Sequence, residues 1–427
     1  MQRKIILFVV LVFVARLLFG LCSEFWFEDE LQTYLLGLKF FTLKAWPYFG
    51  PDVVYTQSQI PGALQGLLIG IPFFIFPIPE APYILLNILS TASLVFLAWY
   101  CTKLTKVTWW ITFSLILFAP WTLNYSTHVL NPSYVLPASA IFFVSFFELM
   151  PSTRKNILPR NICFAIMGFS LFWVYQLHMS WVLMVPVIIF VFYRDFSLKN
   201  VLWFFIGSIP MLALIIPTYI QFGLLGTGGT ESSITFNYKN IFEIFNVAFR
   251  FLSFASFELP RFLGPTTKAR LDVLLQYYWV IPFAVVAGVI GLLQPLSLIF
   301  EFFRKKQDQG WNLVKYSTLS MLAILYLSFF FSIKGPSAHT FYVLYPVAVI
   351  YAFYCWSAYF ERSFWRKVAV IFIICGLLTN LAIAINNFKV RSMYADTQQG
   401  NGRELTLKAI HNSDYKLLGS RRSWVRF

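Results

Sequence analysis

The sequence predicts an all-α protein, a polytopic bundle of about eleven transmembrane helices with further helices beside the membrane at its outer face. The first observation behind this prediction is composition: mean hydropathy is +0.69, and 59% of the 427 residues are hydrophobic against 12% that are charged. The second is that apolar runs of bilayer-spanning length recur along the whole chain. The third is that basic residues cluster between those runs. A soluble domain is therefore excluded.

Each apolar run is interpreted as one span, although several are shorter than the 17 to 25 residues that are usual for a transmembrane helix. The first run, 5–21, follows Arg3 and Lys4 and resembles a secretory signal peptide. Because Arg16 interrupts it and no small-residue cleavage pattern follows, we expect an uncleaved signal-anchor helix. The later runs are 83–99, 109–123, 134–149, 162–175, 181–193, 201–222, 277–300, 316–333, 341–359 and 368–385.

The formal net charge of +15 reports topology, since Lys and Arg fall in small clusters between spans and form no single basic face for nucleic acid. With the N-terminus inside, every short cytoplasmic loop is basic, which predicts a multi-pass protein of the cell inner (cytoplasmic) membrane. The basic residues of these loops are Lys103, Lys106, Arg154, Lys155, Arg160, Arg194, Lys199, Arg304, Lys305, Lys306, Lys315, Arg362, Arg366 and Lys367.

This topology predicts one membrane domain, 1–386, and a basic C-terminal tail, 387–427. The outer, periplasmic face then carries loop 23–82, loop 223–276 and the tail, although a plain count of the tail's own Lys and Arg favours the inside. The inner loops are too small for a nucleotide-binding domain, so we expect any chemistry on the outer face. The five cysteines show no paired spacing and are interpreted as structural.

Three consecutive carboxylates, Glu28, Asp29 and Glu30, follow the first span. Carboxylates beside a bilayer are costly and tend to be functional. We expect Glu28 to be solvated and Asp29 with Glu30 to be the candidates, while acids that satisfy a helix N-terminus remain the alternative. The residues after them predict a short amphipathic helix on the membrane surface. A second surface or re-entrant helix is expected over 58–76, which prolines punctuate.

Other outer loops are short, polar and bounded by apolar spans, which predicts a polar cavity at this face. No pair of histidines has the one-turn spacing of a helical zinc motif, so hydrogen bonding is preferred over metal binding, and no metal or cofactor is expected. The tail's His411 is interpreted as solvated. The candidate polar residues of the loops are His128, Asn131, His178, His339 and Tyr342.

The long outer loop opens with a glycine-rich hinge and continues with phenylalanines mixed with cations, among them Arg250, Arg261 and Arg270. Such a loop could bind an anionic lipid head beside its apolar chain, or it could contain an interfacial helix. We favour lipid binding because the loop shares the outer face with the acids. Lys334, at the outer end of a span, could bind a lipid phosphate or extend to the headgroups.

Together these features resemble the integral-membrane glycosyltransferases of the C-type fold, which include the protein O-mannosyltransferases and the aminoarabinose transferase of lipid A. The resemblance is carried by Asp29-Glu30 with Tyr34 shortly after a basic-flanked span, by the second surface helix at Gln59-Ile60-Pro61, and by the polar segment from Lys334 to Pro346. In architecture it extends to about Tyr359.

The resemblance implies that Asp29 is the catalytic carboxylate, with Glu30 beside it, and that Lys334 contacts the donor phosphate. We add Arg261 and Arg270 as further phosphate contacts. The expected substrate contacts are Tyr34, Gln59, His128, Asn131, His178, His339 and Tyr342.

The sequence departs from the family in two places. The outer loop around His128 lacks the second acid of many members, and Gln176 with His178 stands where a lysine is usual.

The activity implied is transfer of a hexosyl or pentosyl group, with inversion, from a polyprenyl-phosphate donor to a glycan, lipid or protein acceptor at the outer face, among membrane lipids and without nucleic acid. A transporter or flippase of lipid-linked glycans is the alternative from another class, and it expects charges at mid-membrane depth with repeat symmetry. A glycan polymerase or ligase is a third possibility, with its catalytic charges in a large late outer loop.

Overall fold

The computed structural model describes residues 2–24, 26, 29–53, 58–223, 236–253, 266–304, 308–332, 335–336, 338–397 and 400–418. Throughout these ranges the chain is helical apart from loops and two small hairpins. The predicted all-α polytopic bundle is confirmed, and the protein is an integral membrane protein.

The α-helices, numbered in chain order, are α1 (Gln2–Ser23), α2 (Asp29–Leu43), α3 (Leu64–Ile75), α4 (Ala81–Thr105), α5 (Trp109–Phe118), α6 (Pro120–Thr127), α7 (Asn131–Leu149), α8 (Arg160–Tyr175), α9 (Val185–Arg194), α10 (Leu198–Phe222), α11 (Ile244–Leu252), α12 (Thr267–Gln276), α13 (Ile281–Phe302), α14 (Gln309–Ser328), α15 (Ala338–Phe341), α16 (Tyr345–Trp356), α17 (Ser363–Val390) and α18 (Gly402–His411). Strand β1 (Phe49–Val53) pairs antiparallel with β2 (Ser58–Pro61), and β3 (Asp396–Thr397) pairs with β4 (Gly400–Asn401). Turns of 3₁₀ helix occupy Met179–Met184, Tyr238–Glu243, Tyr278–Val280, Phe329–Phe331, Tyr342–Leu344, Tyr359–Glu361 and Tyr415–Leu418.

Each of the eleven predicted spans contains at least one helix, but the helices differ in length. In the described ranges, 7 are long and apolar enough to cross a membrane, namely α1, α4, α7, α10, α13, α14 with the turn after it, and α17. The other predicted spans are the shorter helices α5, α8, α9 and α16. Because a ten-residue helix is only about 15 Å long, such elements need a 3₁₀ turn or a second helix to reach across.

One predicted span, 109–123, is instead two helices that meet at Ala119. Ala119 is extended with ψ of 134°, and Pro120 begins α6, so the helical hydrogen-bond ladder is interrupted there. The fully buried guanidinium of Arg16 fills this break by donating from Nη1 to the Leu117 carbonyl at 2.6 Å. Its Nη2 donates to the hydroxyl of Ser126 at 2.5 Å. The cation deep in the first span therefore has a structural partner.

Helices α1 and α17 point the same way, since Asn387 Nδ2 near the end of α17 donates to the carbonyl of Ser23 at the end of α1, at 2.9 Å. Their starting ends, with Arg3 and Lys4 on one helix and Arg362 before the other, therefore lie on one side of the bundle. We call that side the basic end. The opposite side, where α1 stops at Ser23, is called the acid end.

The segment after α1 is helical as predicted, but it is not a helix lying on a surface. Residues 32–38 of α2 are all buried, because one side packs on α3 and the C-terminal segment covers another. The second surface helix is also corrected at its start, since Gln59, Ile60 and Pro61 belong to β2. Pro61 disfavours helical backbone at the preceding residue, Ile60. The helix begins after it, at Leu64.

Helices α2 and α3 cross where two glycines face each other. A Cβ on Gly37 would lie 2.6 Å from the backbone nitrogen of Gly70, and a Cβ on Gly70 would lie 2.7 Å from the carbonyl oxygen of Gly37. Both distances are shorter than side-chain contacts allow, so the helices approach this closely only because neither residue has a side chain. The orientation of α2 therefore depends on this crossing.

The C-terminal segment packs at the acid end. The backbone N–H of Trp26 donates to the carbonyl of Arg391 at 2.6 Å, and Gly402 lies against the Trp26 indole ring. Arg403 at the start of α18 forms an ion pair with Glu80 at 2.5 Å. The tail thus lies on the same side of the bundle as the acid segment.

We predict that Gly37→Ala destabilises the protein by about 1–3 kcal/mol, because the added methyl group overpacks the crossing. The thermal unfolding midpoint in detergent measures the effect. Gly288→Ala, on α13, is the matched control, since its Cβ would meet nothing within 4 Å. Equal midpoints for the two variants would show that the crossing does not constrain α2.

Candidate active site

A buried carboxyl group lies at the centre of the acid end. Glu24 directly follows α1, is 1% exposed, and accepts a hydrogen bond from the Val129 N–H at 2.8 Å. Burial raises the pKa of Glu24 well above its usual range, and the charge of nearby Glu30 raises it further. Hydrogen bonding to Tyr83 and to the Val129 N–H only partly opposes the shift. Burial therefore favours the protonated, neutral form of Glu24.

Three fully buried tyrosines, Tyr34, Tyr83 and Tyr134, surround Glu24. Tyr34 donates its hydroxyl to the Pro79 carbonyl at 2.8 Å and meets the Trp26 ring edge-to-face with centroids 4.9 Å apart. Burial raises the pKa of Tyr34 well above its usual range. Tyr34 therefore joins α2 to the start of α4 and forms part of the floor beneath the acids.

The loop after α6 holds the acid segment in place. Ser23 donates its hydroxyl to the Phe19 carbonyl at 2.6 Å, so His128 Nε2–H is the donor in its 2.7 Å contact with Ser23 Oγ. The imidazole stacks on Phe19, and burial lowers the pKa of His128 to about 3. His128 is therefore neutral and connects α1 to the loop that carries Val129.

The next polar loop is connected to the first. Asn131, the first residue of α7, donates from Nδ2 to the Leu177 carbonyl at 3.1 Å. His178 accepts the Ser180 N–H on Nδ1 at 3.1 Å and so caps the 3₁₀ turn that follows. Burial lowers the pKa of His178 to about 4, so it is also neutral. These contacts fix the loop between α8 and α9.

Two amides of this region have buried atoms without a hydrogen-bond partner. Gln59 of β2 is partly buried, and its Nε2 has no partner. Gln65, in the first turn of α3, is fully buried with both side-chain polar atoms unpaired. Buried polar groups are seldom left unbonded, so these amides are available to a polar ligand.

Four of the other predicted site residues lie wholly or by their side chains outside the described part of the structure. Asp29 begins α2, and His339 lies in α15, but the side chains of both are outside the described part of the structure. Lys334 and Arg261 are outside the described residues altogether. Arg270 is a partly buried residue of α12.

Two of the predicted loop elements do meet, through residues that sequence reasoning had not selected. Arg250 on α11 donates from Nη1 to the Pro336 carbonyl at 2.6 Å, and its guanidinium lies 5.3 Å from the ring centroid of Phe341. The long outer segment is thus joined to the segment that follows Lys334. Nearby, Tyr342 is buried and meets Tyr125 edge-to-face.

Sequence reasoning also missed Glu24 and Glu80, two of the acids at this end. A signal for Glu24 was present, since it directly follows an apolar span and a charge at that boundary is costly. Within the described residues, no three His, Cys, Asp or Glu side chains lie close enough together to hold a metal ion.

Comparison with solved structures identifies the fold. ArnT from Cupriavidus metallidurans in the apo state matches with a TM-score of 0.54 over 91% of this chain and 76% of that chain, at 11% identity. This chain has the fold of ArnT. ArnT is the aminoarabinose transferase of lipid A, a glycosyltransferase of the C-type fold. The same enzyme bound to undecaprenyl phosphate matches at 12% identity, over 91% and 77% of the two chains, with a TM-score of 0.44. No protein-family model and no curated protein matches the sequence.

We predict that Glu24→Gln makes stability less sensitive to pH. The folded protein keeps a proton on Glu24 that the unfolded chain releases above the ordinary carboxyl value of 4.5, so wild-type stability falls relative to the variant as pH rises from about that point. Unfolding midpoints between pH 5 and 8 measure the difference, and glutamine still accepts the Val129 N–H. Exposed Glu404→Gln is the control. Parallel curves for wild type and Glu24→Gln would contradict a neutral Glu24.

Proposed function

We propose that the protein is a glycosyltransferase that moves a sugar from a polyprenyl-phosphate donor to an acceptor at the outer face of the inner membrane. The observation that carries the proposal is the position of the acids: α2 begins with Asp29 and Glu30, and Glu30 lies near enough to buried Glu24 to raise its pKa, at one end of a bundle that has the fold of ArnT. A transporter would instead need charged groups along a path through the bundle.

In the proposed reaction Asp29 acts as the general base, and Glu30 supports it. Burial raises the pKa of Glu24 and so favours its neutral form, while Glu80 at this end is already paired with Arg403, which leaves the acids that begin α2 as the candidates for the base. The acceptor hydroxyl or amine gives its proton to the carboxylate while its oxygen or nitrogen bonds to the anomeric carbon. The bond from that carbon to phosphate breaks on the opposite side, so the sugar is transferred with inversion.

The departing polyprenyl phosphate needs cations to balance the negative charge that grows on it. Arg250 supports this role, since its hydrogen bond to Pro336 brings α11 to the segment just after Lys334. We assign phosphate binding to Lys334, with Arg250 beside that segment and with Arg261 and Arg270 from the rest of the outer loop. The apolar phenylalanines of that loop suit a hydrocarbon chain.

Recognition of the sugar is assigned to neutral hydrogen-bonding groups. Gln59 and Gln65 have buried side-chain amide atoms without a hydrogen-bond partner, and these atoms can bond to sugar hydroxyl groups. His128, Asn131 and Tyr34 already have hydrogen bonds that position loops, so we assign them to the walls of the site. His178, His339 and Tyr342 remain proposed substrate contacts. The acceptor is a glycan, a lipid or a protein, and the proposal includes no cofactor.

We predict that Asp29→Asn lowers the transfer rate at least about a hundredfold, since a general base contributes that much or more. The assay incubates the reconstituted protein with a labelled polyprenyl-phosphate sugar and candidate acceptors, and it measures label on a new product. Glu361→Gln, an exposed acid at the basic end, removes the same charge as a control. Asp29→Asn with full activity and an unchanged unfolding midpoint would remove Asp29 from the mechanism.

The same assay separates the proposal from a flippase. A transferase moves the label to an acceptor and releases polyprenyl phosphate. A flippase moves intact donor between leaflets of the vesicle and leaves its glycosidic bond unbroken. Intact donor crossing the membrane with no labelled product would overturn the proposed function.

We predict that Arg250→Gln lowers the transfer rate about tenfold or more and weakens donor binding, because a cation is lost beside the leaving phosphate. Initial rates across a range of donor concentrations measure both effects. Lys268→Gln, an exposed cation on α12, is the matched control and should keep wild-type rates. Equal rates for the two variants would place Arg250 outside the donor site.

A further inference from the structure

A cavity opens towards the basic end of the bundle, away from the acids. It has a volume of about 360 Å³ and opens between α5, α13, α16 and α17. Its walls are mainly apolar and aromatic, and they include Ile290, Leu293, Trp356, Trp365, Val368 and Phe372. This volume falls at the small end of ligand sites in proteins. The crevice therefore accommodates one hydrocarbon chain more readily than a whole lipid.

The polar groups in the crevice walls are already bonded within the protein. Gln294 Nε2 donates to the Leu252 carbonyl at 2.9 Å, and the Trp356 indole N–H donates to Ser297 Oγ at 3.2 Å. Tyr359 donates its hydroxyl to Glu301 at 2.7 Å. Because these groups are satisfied, the interior favours an apolar occupant over a polar one.

The mouth of the crevice, in contrast, is cationic. Arg362 immediately precedes α17, and Arg366 lies in its first turn beside the wall residue Trp365. The guanidinium of Arg304 adjoins the same mouth, since it donates to the Tyr359 hydroxyl at 2.8 Å, and it is ion-paired there with Glu301. Trp365 is 38% exposed, and aromatic residues with cations of this kind mark the headgroup level of a bilayer.

We propose that this crevice is a binding site for an anionic glycerophospholipid, with one acyl chain between α13 and α17 and the phosphate against Arg362 and Arg366. The apolar interior suits an acyl chain, and the cationic mouth favours a lipid with an anionic headgroup. The free N–H groups at the start of α17 add to the attraction for phosphate. The mouth of the crevice lies at the opposite end of the bundle from the acids, while its inner wall adjoins α11, since Gln294 donates to the Leu252 carbonyl.

The proposal is tested with delipidated protein in detergent, to which phosphatidylglycerol or phosphatidylcholine with matched chains is added. Native mass spectrometry counts the bound lipids. We expect phosphatidylglycerol to bind at least about tenfold more tightly. Arg362→Gln with Arg366→Gln should reduce that preference to near unity, whereas Arg154→Gln with Lys155→Gln, which removes two exposed cations from another loop at the same end, should leave it unchanged.

A second variant tests the apolar part of the site. Leu293→Trp places a larger side chain at the crevice, and because Leu293 is 56% exposed we expect the fold to tolerate it. It should weaken binding of both lipids about tenfold while the unfolding midpoint stays near that of wild type. Unchanged binding in Leu293→Trp, or equal effects of the two charge variants, would overturn the site. Displacement of phosphatidylglycerol by equimolar polyprenyl phosphate would overturn its assignment to a glycerophospholipid.

Discussion

A guanidinium inside a membrane bundle must find its hydrogen-bond acceptors within the protein, and the structure depends on how Arg16 does so. Its acceptors are the Leu117 carbonyl freed where α5 ends, and the hydroxyls of Ser90 on α4 and Ser126 on α6. One side chain thereby joins three helices to α1. Had α5 continued unbroken, the Leu117 carbonyl would be used within its own helix.

The broken helix in turn positions the acid end. Helix α6 ends at Thr127, and the next two residues hold the acid segment, with His128 bonded to Ser23 and Val129 bonded to Glu24. Burying Glu24 beside Glu30 is costly while both are ionised, and protonation of Glu24 removes much of that cost. The acid end thus combines neutral hydrogen-bonding groups and the Glu80–Arg403 ion pair around the acids that begin α2.

The sequence was most informative about elements that face lipid. Apolar runs and basic loops predicted every long helix, because hydrocarbon imposes the same requirement at each crossing. It was less informative about α2, which was expected on the membrane surface, because the segments that bury it come from elsewhere in the chain. The strand at Gln59 was missed, although Pro61 carried a local signal against helix.

Within the candidate site the sequence indicated the acid segment but not its partners. Glu24 was overlooked because three carboxylates in a row drew attention to 28–30, whereas its importance comes from burial. Arg250 was one of several cations in a long loop, and only its hydrogen bond to Pro336 distinguishes it. Hydrogen bonds between residues far apart in sequence have no local pattern, so the arrangement of the site required the structure.

The contact between the two ends of the chain has a consequence for biogenesis. Ser23, at the end of α1, has its carbonyl bonded by Asn387, and the backbone N–H of Trp26 donates to the carbonyl of Arg391. These partners are synthesised more than 360 residues later. A nascent chain truncated anywhere before them lacks one wall around its carboxylates. The acid end is therefore completed only after α17 has been synthesised and has packed against α1.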